Sequence, residues 1–176
     1  MSIVNLVRDD SSIIPNIPLN TKSLRIWACK YKNISSVALL KNLEELSLFS
    51  VKDASFDFLA ELDDLKYLSI IHAQNIRDIS FLESLKNLEV LVLATSPSWD
   101  AKSKTIILDS LAPIARLPKL RCLELFGVTN AEKSLRDLFG CKNIKLAKFS
   151  KYPPAEVEEF YSSTGAVRGN APDPFV

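Results

Sequence analysis

The sequence predicts an α/β solenoid of stacked coils. Each coil contributes one strand to a parallel sheet and one short helical piece to the opposite side. Three observations predict it. The pattern L-x-x-L-x-L recurs along most of the chain at intervals near 22 residues. The segments between carry apolar residues three apart, the period of a tight helical turn. The composition, 47% hydrophobic and 24% charged over 176 residues, suits one globular domain rather than a disordered chain.

Taken in order, residues 1–20 form an N-terminal cap, with SIVNLV as an added strand and IIPNIP as a turn-rich cover. Residues 21–150 hold about six repeats. Their first apolar positions are Thr21, Leu43, Leu65, Leu88, Leu120 and Cys141; their second are Leu24, Leu46, Leu68, Leu91, Leu123 and Ile144; their third are Ile26, Leu48, Ile70, Leu93, Leu125 and Leu146. Successive second positions lie 22, 22, 23, 32 and 21 residues apart. Within x-L-x-L-x every second residue is buried, the mark of a strand. The helical pieces read Ile34, Val37 and Leu40; Ile79, Leu82 and Leu85; Leu111, Ile114 and Leu117; Leu135, Leu138 and Cys141. No coil buries its own apolar face, so coils stack. Residues 151–176 form a closing helix and a tail: Pro154 suits its first turn, Glu156 and Glu158 its positive end, and Gly165 its stop, with Val157, Phe160 and Tyr161 as the apolar face.

This register, carried best by NIRDISFLESLKNLEVLVL at residues 75–93, resembles the leucine-rich-repeat family, in particular the short 22-residue class of SDS22-like and bacterial internalin-type repeats. The resemblance implies a right-handed leucine-rich-repeat solenoid, with the parallel sheet concave and the short helical or 3₁₀ pieces convex. It also implies a protein-binding role, since proteins of this kind act as adaptors, phosphatase regulators, effectors or immunity proteins that sequester a toxin. One departure stands out. The family places Asn, or sometimes Cys, three residues after the third Leu, where it bonds turn backbone. Here those positions are Cys29, Val51, Ala73, Ser96, Val128 and Phe149, and only Cys29 conforms. The turn backbone must therefore find other partners.

The x residues of each strand face away from the core. They are Ser23, Arg25 and Trp27; Glu45, Ser47 and Phe49; Tyr67, Ser69 and Ile71; Val90, Val92 and Ala94; Cys122, Glu124 and Phe126; and Asn143, Lys145 and Ala147. Down the strand ends runs an apolar ladder of Trp27, Phe49, Ile71, Ala94, Phe126 and Ala147. Contiguous apolar surface of this kind marks interaction sites, and aromatics beside Arg are typical hot spots. The same residues also suit plain strand propensity, or burial beneath a loop or tail. The fourth repeat carries about ten extra residues near 96–106, including Trp99, Asp100, Lys102 and Lys104, a loop that reads equally as a side wall to the face or as a tolerated surface insertion. The expected partner-binding set is Arg25, Trp27, Glu45, Phe49, Tyr67, Ile71, Trp99, Glu124 and Phe126.

Several classes are set aside. A net charge of +1 does not suit a general nucleic-acid binder. No apolar run approaches the ~18 residues that span a bilayer. Three cysteines, Cys29, Cys122 and Cys141, form no CxxC pair, and the first residues lack a signal-peptide pattern, so a reduced, cytoplasmic setting is expected. His72 is the only histidine and no nucleophile or acid is fixed beside it in sequence. No phosphate-binding glycine motif occurs. No cofactor, no metal and no catalytic residue is expected. The reading is a non-enzymatic module that binds another protein through the concave face, of immunity type or as a regulatory inhibitor. The alternatives are a self-assembling homo-oligomer and an enzyme with a site near His72 and the 96–106 loop.

Overall fold

The computed structural model describes residues 2–51, 55–96 and 104–174. Eight strands form one parallel sheet: β1 (Ser2–Val7), β2 (Thr21–Trp27), β3 (Glu45–Phe49), β4 (Tyr67–Ile71), β5 (Val90–Ala94), β7 (Cys122–Phe126), β9 (Leu146–Phe149) and β10 (Val167–Arg168), in that spatial order. A two-stranded parallel sheet pairs β6 (Ile106–Leu108) with β8 (Val128–Asn130). Among the described residues, two α-helices, α1 (Ala112–Ala115) and α2 (Pro154–Thr164), and 3₁₀ segments at Ser35–Leu39, Asp57–Glu61, Ser80–Ser84 and Arg136–Leu138 complete the coils. The architecture is the leucine-rich-repeat solenoid.

The repeat spacing becomes register directly. Leu24, Leu46, Leu68, Leu91 and Leu123 pair in one row, and Ile26, Leu48, Ile70, Leu93 and Leu125 in the next. Both rows are buried. On the convex side the three-residue apolar spacing is also the hydrogen-bond spacing. Val37 N–H donates to Ile34 O, Leu40 N–H to Val37 O and Leu43 N–H to Leu40 O, at 2.9, 3.0 and 2.9 Å. The same chain runs through Phe56, Leu59, Leu62 and Leu65, and through Ile79, Leu82, Leu85 and Leu88. A tight turn bonded every third residue puts every third side chain on one side, so these rows fill the core behind the sheet.

The sixth repeat corrects the sequence reading. Its chain of turn bonds runs Leu135, Leu138, Cys141 and Ile144, so Ile144 is the counterpart of Leu43 and occupies the first position instead of the second. β9 accordingly pairs Ala147 with Leu123 and Phe149 with Leu125, while Leu146 and Lys148 stand opposite Cys122 and Glu124. Ala147, expected on the open ladder, is fully buried, and the outward residues are Leu146 and Lys148 instead of Asn143 and Lys145. Cys141, expected as a core residue, is only half-buried.

The missing asparagine ladder is replaced in three ways. Cys29 fills its conforming position by directing Sγ–H to Leu6 O at 3.4 Å and Trp27 O at 3.6 Å. Residues just past the strands turn with positive φ, Ala28 (55°), Ser50 (57°) and His72 (62°), and their N–H groups extend the parallel ladder to Phe49 O, Ile71 O and Ala94 O. At the other strand end, Asn42, Asn87 and Asn143 each donate from Nδ2 to the preceding coil, to Leu19 O, Asp63 O and Pro118 O.

The ends are covered from outside the repeats. β1 extends the sheet before the first repeat, and Ile17 is buried behind it although Ile13 and Leu19 stay exposed. At the far end α2 seats Phe160 fully buried, its ring 4.7 Å edge-on from Phe149. α2 begins at Pro154 and stops at Gly165, φ 74°. Glu156 reaches beyond its own helix end, accepting from Ser134 Oγ and from Leu135 N–H at 2.9 and 2.8 Å.

Candidate interaction surface

The concave face is built from the outward strand residues, and parallel pairing stacks like positions directly. At the strand ends, Trp27 pairs with Phe49, Phe49 with Ile71, and Ile71 with Ala94, which pairs with Phe126. The Trp27 and Phe49 rings stack 4.4 Å apart at 14°, and His72, one residue past Ile71, lies 6.3 Å from Phe49 at 26°. Exposed Arg25 places its guanidinium 4.2 Å over the Trp27 ring. A row of three near-parallel planar groups capped by a cation therefore runs along one rim of the sheet. Trp27, Phe49, Ile71, His72 and Phe126 are all half-buried, each leaving one side open. Lys148 sits 4.9 Å over the Phe126 ring and closes the far end.

His72 belongs to this row as a planar surface. Gln74 Nε2 and His72 Nε2 share a hydrogen bond at 2.8 Å. Burial lowers the His72 pKa.

The middle of the face differs from the rim. Glu45 and Tyr67, both expected as contact residues, are 3% and 6% exposed. Ser23, Ser47 and Ser69 beside them are also buried. What overlies them is the tail that follows α2. Val167 and Arg168 add a short strand against β9, and Gly169 N–H donates to Ala147 O at 3.1 Å. A Cβ at Gly169 would fall 2.5 Å from Leu146 Cδ1, so the missing side chain lets the backbone lie down on the sheet. Asn170 Oδ1 then accepts from Lys148 Nζ at 2.8 Å, and Ala171 N–H donates to Glu124 Oε2 at 3.3 Å. Pro172 and Asp173 share the walls of a cavity of about 520 Å³ with Glu45, Tyr67, Val90 and Cys122. Asp173 and Pro174 share a second, of about 370 Å³, with Ser23, Arg25, Trp27 and Ser69. Burial, with a smaller contribution from the Asp173 charge, pushes the Tyr67 phenol up to about 12. Burial likewise raises the Cys122 thiol.

The structure thus brings Arg25, Trp27, Phe49 and Ile71 together, with Phe126 farther along the same row. It places Glu45 and Tyr67 under the tail and makes Glu124 a tail contact. Trp99, with Asp100 and Lys102 of the expected side wall, lies outside the described residues; Lys104 is exposed. Sequence reasoning did not find Lys148, Asn170 or Ala171 as part of this surface. Lys148 was hidden by the sixth-repeat register, and the tail carries no period to place it.

No protein-family model matches the chain, and no curated protein matches it in sequence. Solved structures do match. An internalin (inlF) from Listeria monocytogenes superposes with a TM-score of 0.64 at 19% identity over 85% of this chain and 47% of its own. Internalin C2 from the same organism gives 0.58 at 22% identity, over 74% and 53%. A leucine-rich-repeat protein from Leptospira interrogans gives 0.54 at 18% identity, over 92% and 48%. The chain spans about half the length of the structures it matches. At these identities the likeness establishes the fold alone.

Proposed function

We propose that the protein is a non-enzymatic protein-binding module that engages its partner through the concave face, with the Arg25–Trp27–Phe49–Ile71–His72 rim as the anchor. The observation that carries this reading is the aromatic row. Three near-parallel planar groups in one row with a cation over one end form a rigid, half-open apolar strip, and strips of this composition are where binding energy concentrates. The leucine-rich-repeat fold is a scaffold suited to presenting such a strip, an argument by analogy of fold. The finer reading is a regulatory inhibitor of immunity type, acting by occupying its partner's surface.

The test is a capture experiment from lysate of the source organism. Wild type serves as bait beside two folded variants, the triple change Trp27→Ala, Phe49→Ala, Phe126→Ala and the single Arg25→Glu. A protein retained by wild type, lost from the triple variant and reduced about tenfold or more in affinity by Arg25→Glu supports the rim as the site. Equal capture by all three baits excludes it. A mass that rises with concentration in wild type and not in the triple variant would reassign the strip to self-association.

A further inference from the structure

The floor of the concave face carries a groove, and residues 169–174 lie in it. Starting from Ala147 and Lys148 of β9, these six residues pass Glu124 of β7 and reach cavity walls formed by β5, β4, β3 and β2. Covering that many strands in six residues requires a nearly fully extended chain. The sheet beneath has no backbone groups to offer, because neighbouring parallel strands already use them. An occupant of the groove must therefore be a segment that does not need ladder hydrogen bonds. Proline has no N–H to satisfy and favours the extended polyproline conformation. Pro172 and Pro174 stand where the groove is walled by Tyr67 and Val90 at one point and by Trp27 at the next, over a floor of small serines. Aromatic-walled troughs that hold proline-punctuated extended chains are a recurring mode of peptide recognition.

We infer that this groove is a peptide-binding site for an extended, proline-punctuated segment, and that the chain's own residues 170–174 occupy it in the free protein. Resting on the protein-binding reading above, the inference gives the partner's contacting segment its chemistry and makes partner binding a competition with the tail. Two polar tethers hold the tail down, Lys148 to Asn170 and Ala171 to Glu124. Release exposes Tyr67, Glu45 and Cys122 together.

Cys122 is a built-in reporter, since it lines the same cavity as Pro172 and Asp173. Its rate of reaction with a maleimide is measured in the full chain with Cys141 changed to Ser; buried Cys29 stays as an internal check on folding. The double variant Asn170→Ala, Ala171→Pro removes both tethers. It is expected to raise the Cys122 rate about tenfold while Cys29 stays slow. Adding the peptide Gly-Asn-Ala-Pro-Asp-Pro to that variant is expected to slow Cys122 again, and Gly-Asn-Ala-Ala-Asp-Ala is expected to leave it fast. The single Asn170→Ala carries the same expectation at smaller amplitude and serves if the double variant unfolds. Equal Cys122 rates in wild type and variants overturn the covering role of the tail. Failure of the proline peptide to protect overturns the peptide site. Wild-type protection that grows with protein concentration overturns the intramolecular assignment in favour of a second copy's tail. No partner enters this experiment, so its failure leaves the rim reading standing.

Discussion

Gly127 closes the turn after β7 at φ 67°, and a Cβ there would stand 2.1 Å from Thr95 Oγ1 and 3.0 Å from Thr95 Cβ. Ala28, Ser50 and His72 make the equivalent turn with side chains, at a cost of roughly 1 kcal/mol each that the extended backbone ladder offsets. Gly127 alone combines the positive φ with a neighbour that leaves no room. Gly127→Ala is therefore expected to destabilise by about 2 kcal/mol or more, as a lower urea midpoint with unchanged slope. Charge also acts at this scale. Glu44 bonds both Lys22 and Lys66, the latter at 2.6 Å, and these bonds pull its carboxyl from the usual 4.5 to about 2. A depressed carboxyl stabilises the folded state above its unfolded pKa, and that contribution is lost as pH falls from about 4.5 toward 2. The groups are partly solvated, so the effect is below about 1 kcal/mol. In Glu44→Gln the difference from wild type is expected at pH 7 and to vanish near pH 2, measured by urea unfolding across that range.

Among the elements, α2 is the one whose loss opens the core. Phe160 is fully buried against Phe149, so Phe160→Ala is expected to cost about 3–4 kcal/mol, read as a fall in thermal midpoint, and to increase binding of a hydrophobic dye. α2 was legible because its signals are local: Pro154 starts it, Gly165 ends it, and Val157, Phe160 and Tyr161 share a face. β3, β4, β5 and β7 were legible for the same reason, each being five residues of period two shortly after a Leu. The last strand was misplaced because Ile144 and Leu146 mimic the L-x-L spacing one turn too early. The three-residue rule that placed Ile34, Val37, Leu40 and Leu43 would have put Ile144 first. Asn42, Asn87 and Asn143 act as brackets between coils, since their partners Leu19, Asp63 and Pro118 lie a whole repeat away in sequence. The pairing of β6 with β8 had no local signal at all, since Ile106–Leu108 begins where the inserted stretch ends and falls outside the repeat pattern.

In the whole molecule, the main sheet joins each coil only to its neighbours, and cohesion grows toward the middle of the stack. Hydrogen exchange is expected to be slowest in β3, β4 and β5 and fastest in β1 and the two-residue β10, with a gradient between them. The concave face is the property least legible in the sequence. Alternation identified Arg25, Trp27 and Phe49 as outward residues, and outward they are. Alternation says nothing about what comes back to cover Glu45 and Tyr67, because the covering segment makes its contacts through two tethers and two prolines instead of a repeat.

The same neighbour-only stacking gives the charges at the strand starts a second consequence. Lys22, Glu44, Lys66, Glu89 and Arg121 occupy consecutive coils, their backbones bonded one to the next, so the sign alternates across these five; Lys145, bonded to Arg121 in the following coil, ends the alternation. Glu44 lies between two lysines, and Glu89 pairs with Arg121 at 3.5 Å. A chain that skipped a coil while folding would bring Lys22 against Lys66, or Glu44 against Glu89. Each such error sets like charges side by side, where the correct stack sets opposites. Across these five coils the ladder therefore works as a parity check: one omitted coil is an odd error, and odd errors are the ones it opposes. The near-identical sentences LKNLEELSLFS and LKNLEVLVLAT stand two coils apart and both carry Glu in this row, so their exchange is an even error that the ladder leaves unopposed.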